Sequence, residues 1–321
     1  MVQRFVVVLV LFVGLVGIWM GGCQTPEQKI EKLISKLQHK NPKVRQTAVV
    51  ALTKIGKDAV PVLIQALQDG SRGIRASAAG VLGQIGAGAV DASPALIKTL
   101  QNPEGRWHAE GALAKIGIGA VPVLIQALQD PEVRQYATGV LARIGEDARD
   151  AVPALIQISQ DPEEIVRVSA AKALGSIGKD AKDAIPALVQ ALQDGVANVR
   201  SNAAEALAKI GKDAVPALVQ ALQDPDIGVR SNAAGVLGQI GKGAVDAVPA
   251  LTLALQDLAP EVRQYTAGAL GEIRSGAAVP ALIQALQDPD TGVRYFVAVA
   301  LKSIGTPEAL NAVKKHEELQ Q

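Results

Sequence analysis

The sequence predicts an all-α solenoid, a stack of about nine helix pairs closed by one last helix. Three observations predict it. The phrase VPVLIQALQD at 60–69 and 121–130 returns as IPALVQALQD at 185–194, VPALVQALQD at 215–224 and VPALIQALQD at 279–288. A second phrase alternates with it, as VRSNAAEALAKIG at 199–211 and VRSNAAGVLGQIG at 229–241. The arginine of that phrase recurs at Arg45, Arg75, Arg106, Arg134, Arg167, Arg200, Arg230, Arg263 and Arg294, a mean step of about 31 residues, the length of one helix pair.

The elements follow in order. Each first helix opens with a proline, at Pro26, Pro61, Pro94, Pro122, Pro153, Pro186, Pro216, Pro249, Pro280 and Pro307. Proline suits a first turn because the N–H it lacks would have no helical partner there. Ten first helices and nine second helices are expected. Leu218, Val219 and Leu222 share one face of a first helix, and Val199, Ala203, Ala204, Leu207 and Ile210 line one stripe of a second. The paired alanines let neighbouring helices approach closely. Gly211 after Ile210 is a stop signal, and loops as short as residues 212–214 leave room only for an antiparallel pair. The end helices, 26–40 and 307–321, carry charges that the inner first helices lack. They are expected to cap a complete array.

These phrases resemble HEAT repeats, most nearly the short bacterial variety also found in phycobilisome (bilin) lyase subunits. The resemblance covers about residues 26–320. It implies a right-handed superhelix with the second helices on the concave side. It also implies a non-catalytic scaffold that binds other macromolecules. An aspartate stands six residues ahead of the arginine in Asp69/Arg75, Asp161/Arg167, Asp194/Arg200, Asp224/Arg230, Asp257/Arg263 and Asp288/Arg294. The resemblance implies that such pairs form a ladder between adjacent repeats. Irregularities are expected where His39 replaces the aspartate and where the offset shrinks, at Asn102/Arg106 and Asp130/Arg134. A row of arginines would otherwise suit phosphate, but the acids neutralise it, and nucleic-acid binding needs uncompensated positive charge.

The amino terminus reads differently. Arg4 is followed by an uncharged run, Phe5 to Met20, and then by Met20-Gly21-Gly22-Cys23, where Cys23 is the one cysteine of the chain. A basic start, a short apolar stretch and small residues before a cut site describe an export signal. The last four residues resemble a bacterial lipobox, with methionine where leucine is usual. Residues 1–22 are thus expected to be a lipoprotein-type signal, with Cys23 the lipidated residue and 23–25 a short tether. An uncleaved anchor and plain secretion are the alternatives, the run being marginal for spanning ~30 Å of hydrocarbon. The expected place is the bacterial cell envelope, with the array on the periplasmic or extracellular side. Without residues 1–22 the chain holds 31 basic and 31 acidic residues. That balance disfavours nucleic acid as a partner. A monomer is expected.

Chemistry is sparse. His39, His108 and His316 lie in distant parts of a one-dimensional stack, without metal-ligand spacing, and no metal or cofactor is expected. HEAT-type deoxyhypusine hydroxylases hold iron with several His-Glu pairs, whereas this chain has only His316-Glu317. A bilin lyase would work on the cytoplasmic side, against an export signal. The alternatives to a binding scaffold are therefore such an enzyme or enzyme subunit, or an architectural spacer.

The aromatics outside residues 1–22 are Trp107, Tyr136, Tyr265, Tyr295 and Phe296, each one or two residues after a repeat arginine. On a concave face they, with His108 and Glu110, are the partner-binding candidates. Glycines five residues after the arginine, at Gly80, Gly111, Gly139, Gly235 and Gly268, leave room beside them. Packing within the array is the alternative, favoured for Tyr295 and Phe296. Trp107, His108 and Tyr136 are the better binding candidates, and Glu110, standing where a core alanine belongs, marks the same place.

Overall fold

The computed structural model describes residues 25–319, so the expected leader and Cys23 lie outside the described residues. Nineteen α-helices alternate in two layers, joined by 3₁₀ turns, with no strand among the described residues. The first helices are α1 (Pro26–Ser35), α3 (Val60–Ala66), α5 (Ser93–Leu100), α7 (Val121–Ala127), α9 (Val152–Ile158), α11 (Ile185–Ala191), α13 (Val215–Ala221), α15 (Val248–Ala254), α17 (Val279–Ala285) and α19 (Pro307–Glu318). The second helices are α2 (Pro42–Ile55), α4 (Arg72–Ile85), α6 (Arg106–Ile116), α8 (Arg134–Ile144), α10 (Glu164–Ile177), α12 (Ala197–Ile210), α14 (Ile227–Ile240), α16 (Pro260–Ile273) and α18 (Thr291–Ile304).

The hydrophobic stripes meet in one continuous core. Leu63, Leu124, Leu155, Leu218, Leu251 and Leu282 of the first helices are fully buried against Leu52, Leu113, Leu141, Leu207, Leu237 and Leu270 of the second. Burying such a side chain contributes about 2 kcal/mol. The first helices are too short to hold together alone, and this packing is what stabilises them. At five joints the second helices approach closely, four of them through Gly83, Gly175, Gly238 and Gly271 against an alanine of the next repeat.

Two local devices set each repeat. The aspartate after a first helix closes the loop to its second helix: Asp194 Oδ1 accepts the Val196 N–H at 2.8 Å, and Asp69, Asn102, Asp130, Asp161, Asp224, Asp257 and Asp288 do the same two residues on. Asparagine serves as well as aspartate here, because only the acceptor oxygen is used. The glycine after most second helices has positive φ, as at Gly211 (φ 81, ψ −135). That ψ lies beyond the left-handed helical region expected of a stop, so the chain turns directly into the next 3₁₀ connector. Arg274 takes the corresponding place after α16, left-handed at φ 57, ψ 38.

The arginine ladder is built differently from the spacing that suggested it. Six residues back, the arginine meets a backbone carbonyl: Nη1 of Arg230 donates to Asp224 O at 2.8 Å, and Arg75, Arg167, Arg200, Arg263 and Arg294 repeat the bond. The carboxylate belongs to the preceding repeat's arginine. Arg167 pairs with Asp194, Arg230 with Asp257 and Arg263 with Asp288, each Nε to Oδ2 at 2.7 Å, and Arg134 pairs with Asp161. Arg75 reaches the more exposed Glu104 at 2.8 Å.

The rungs are missing at three of the joints between repeats, and not for want of an acid. Arg45 and Asp69, Arg106 and Asp130, and Arg200 and Asp224 are all present and none of the three pairs closes. At these joints the connector is Gly56–Ala59, Gly117–Ala120 or Gly211–Ala214, four residues each. Where the rungs form, it is Gly86–Ala92, Gly145–Ala151, Gly178–Ala184 or Gly241–Ala247, seven residues each, or the irregular Arg274–Ala278. The second helices follow the same division. A Cβ on Gly83, Gly175, Gly238 or Gly271 would lie 2.9, 3.1, 3.0 or 2.8 Å from the Cα of Ala112, Ala206, Ala269 or Ala300 in the next repeat. Ala173 holds the same register position after Arg167. At the three rungless joints that position is Val81, Val140 or Val236, and the second helices pack less closely.

Candidate partner-binding groove

The exposed and half-buried residues of the second helices that line the groove follow the repeat register, at one, two, five and nine places after the arginine. On α14, α16 and α18 this register presents Gly235 and Gln239, then Gln264, Tyr265, Gly268 and Glu272, then Phe296, Val299 and Ser303. Together they line an open groove of about 680 Å³, mostly apolar. Its floor is the close contact of Gly238 with Ala269 and of Gly271 with Ala300. Glycine provides the depth: Gly268 faces open space, and the Tyr265 ring lies 3.5 Å from where a Gly235 Cβ would be.

Large apolar surface is exposed here. Tyr265 is 54% exposed, Phe296 40% and Tyr295 66%, the last two meeting edge-on with ring centroids 5.6 Å apart. The sequence favoured packing for Tyr295 and Phe296; the structure leaves both open, because α19 covers the other side of α18 through Ala309 and Val313. Gln264 is held by Asp290, its amide donating to Oδ1 at 3.1 Å. Glu272 is the one charged residue of the groove lining and has no ion-pair partner among the described residues.

The candidates in repeats three and four are arranged differently. Trp107 is 75% exposed and meets His108 edge-on at 5.2 Å. The His108 Nδ1 is buried without a hydrogen-bond partner. Tyr136 is half-buried against the core, with the Arg106 guanidinium 3.9 Å above its ring. No ring contact joins Trp107 to Tyr136 among the described residues. Arg106, which forms no ion pair with Asp130, lies over Tyr136, while Trp107 meets His108 at the surface. Glu110 is half-buried, and burial pushes its carboxyl up despite the pull of Arg143 and Arg106. No cluster of three His, Cys, Asp or Glu that could hold a metal occurs among the described residues.

Three known structures give context. The chain superposes on a Kap95p complex, in which Kap95p induces the switch loops of RanGDP to adopt the GTP-bound conformation, at 17% identity and TM-score 0.55, covering 89% of this chain and 46% of that one. It superposes on importin beta at 17% identity and TM-score 0.54, covering 91% and 47%. The chain thus spans about half the length of these solenoids, and the likeness is one of fold. Human deoxyhypusine hydroxylase aligns at 26% identity over 87% of this chain and 96% of that one, at a TM-score of 0.33. No curated protein matches the chain. The family described as HEAT repeats matches residues 30–117, 121–208, 185–258 and 248–317, and the chain belongs to that family.

Proposed function

We propose that this protein is a non-catalytic scaffold that holds a segment of a partner protein in the groove of its last three repeats. The observation that carries the reading is the groove itself: exposed Tyr265, Phe296 and Val299 around a trough emptied by Gly235 and Gly268. Aromatics flanking a recess are the usual anchors of protein interfaces. The segment would bring apolar side chains for the trough and a basic group for the unpaired Glu272. Kap95p, a solenoid of the same fold, is described acting on RanGDP, which agrees with a protein-binding role. We propose further that the scaffold works as a monomer and is exported and lipid-anchored through Cys23 at a bacterial cell envelope. The support for that half is the basic start, the uncharged run and the lipobox-like Met20-Gly21-Gly22-Cys23.

Two experiments test the halves separately. Membranes holding the wild type and the Tyr265→Ala/Phe296→Ala variant are crosslinked, and captured proteins are compared. The expected result is loss of the main captured species with an unchanged melting temperature; equal capture by both overturns the groove assignment. Metabolic labelling with a fatty acid should mark the wild type and leave Cys23→Ser unmarked. Equal labelling of the two rules out Cys23 as the attachment point.

A further inference from the structure

Three features divide the joints of this solenoid in the same way. The Arg–acid rung, the Gly/Ala close approach of second helices and the seven-residue connector coincide at three joints, and the rung with two alanines or with the five-residue Arg274–Ala278 occurs at two more. All three are missing together between repeats one and two, three and four, and six and seven. Residue identity does not explain the missing rungs, since Asp69, Asp130 and Asp224 are in place. Where the acid itself is missing, at Asn102, Arg75 still finds Glu104 across a joint with the longer connector. The geometry that the connector allows decides the rung.

We propose that the array is built as four stiff blocks, repeat one, repeats two and three, repeats four to six, and repeats seven to nine, which flex against one another at the three rungless joints. In a stack where each repeat touches only its neighbours, stiffness is a property of each joint separately. A joint without the arginine–carboxylate bonds and without backbone-to-backbone approach, held instead by the Thr53–Gln84 bond, by Arg106 over the Tyr136 ring or by the Asn232–Leu192 bond, opens at lower cost. The joint between repeats six and seven is bridged by the Asn232 amide, which donates to Leu192 O at 3.0 Å, and a crevice of about 270 Å³, smaller than those at two rung-bearing joints, lies there between Ala197, Ser201 and Ala204 of α12 and Asn232 and Val236 of α14. That crevice shares Gly235, Gln239 and Tyr265 with the main groove, so flexing there acts on one end of it. The block structure goes beyond the scaffold reading and does not depend on it.

The test uses the full chain carrying Cys23→Ser and spin-label pairs at matching exposed sites of the first helices. Gln126/Gln190 spans the two rung-bearing joints of repeats four to six, and Gln220/Gln284 those of repeats seven to nine. Gln190/Leu253 spans one rungless joint and one rung-bearing joint. Each pair is two repeats apart, about 20 Å, within reach of pulsed spin–spin measurement. The Gln190/Leu253 distance distribution should be about twofold broader than the other two. Inserting Lys-Asp-Ala after Ala214 together with Val236→Ala copies the connector of the preceding joint and should narrow it to their width. If that variant does not fold, Arg263→Ala serves instead and should broaden the Gln220/Gln284 distribution. Equal widths for all three pairs in the parent, or a folded variant whose width does not move as stated, would overturn the proposal.

Discussion

Asp257 accepts one edge of the Arg230 guanidinium side-on, Nε at 2.7 Å and Nη2 at 3.0 Å, while Nη1 of the same arginine donates to the carbonyl of Asp224. One side chain thus ties two repeats, and both groups are largely buried, at 14% and 13% side-chain exposure. Removing it leaves the largely buried Asp257 without its bonded counter-charge, with only the weaker pull of Arg263 remaining. Arg230→Ala should therefore cost about 2 kcal/mol, whereas Arg200→Ala, which loses only carbonyl bonding, should cost about 1 kcal/mol. Chemical denaturation of the two variants side by side checks the difference; equal losses would mean that the carboxylate contact contributes nothing.

The rungs make the fold sensitive to acid. The Arg167 hydrogen bond holds the Asp194 carboxyl below its ordinary range. At Asp257 and Asp288 burial pushes upward, but the Arg230 and Arg263 bonds and a backbone N–H outweigh it and keep both below that range. Carboxyls lowered in the folded state contribute stability that is present above the unfolded value, about 3.9, and lost as pH falls through the folded values. The melting temperature should hold steady from about pH 7 to 5 and drop below about pH 4. Asp257→Asn should start lower and lose less on acidification; a parallel curve would exclude this carboxylate as a cause.

Two glycines one turn apart should answer oppositely to the same change. Gly268 faces open groove, so Gly268→Ala should stabilise by up to about 1 kcal/mol through helix propensity. A Cβ at Gly271 would sit 2.8 Å from the Ala300 backbone, so Gly271→Ala should force α16 and α18 apart. The expected cost is about 2 kcal/mol. Thermal unfolding of each variant decides it, and a stabilising Gly271→Ala would show that the close approach is not needed.

Arg274 is the one non-glycine residue with positive φ among the described residues. Glycine stands at the matching place in the other repeats. Arg274→Gly should relieve about 1 kcal/mol of left-handed strain and raise the melting temperature. A lower melting temperature would mean that the arginine side chain makes a compensating contact.

The helices were legible in the sequence because proline, the leucine stripes and the repeat arginine mark each one locally. The ladder was legible only in part, for an arithmetical reason. Asp257 lies 27 residues after Arg230, and in a 33-residue repeat that is the same phase as six residues before. Periodicity alone cannot separate the two partners; the structure assigns the near one to a carbonyl and the far one to a carboxylate. The division of joints was written in the connectors, GKDA at 211–214 against GKDAKDA at 178–184, but three extra residues acquire meaning only once the second helices are seen to close up. Tyr265 and Phe296, with Gly235 and Gly268 beside the aromatics, stand among the sequence candidates but below Trp107 and Tyr136, because residue type does not reveal what lies beside a ring. Tyr136 sits under Arg106, whereas Tyr265 sits beside the space that Gly235 and Gly268 leave.

The aspartate that ends a first helix serves two masters, its own loop through an N–H and the previous repeat through a guanidinium. Each regular repeat therefore carries a plug at one end and a socket at the other. A unit copied with its connector brings both fittings with it, so the chain can be lengthened by duplication without redesigning either neighbour.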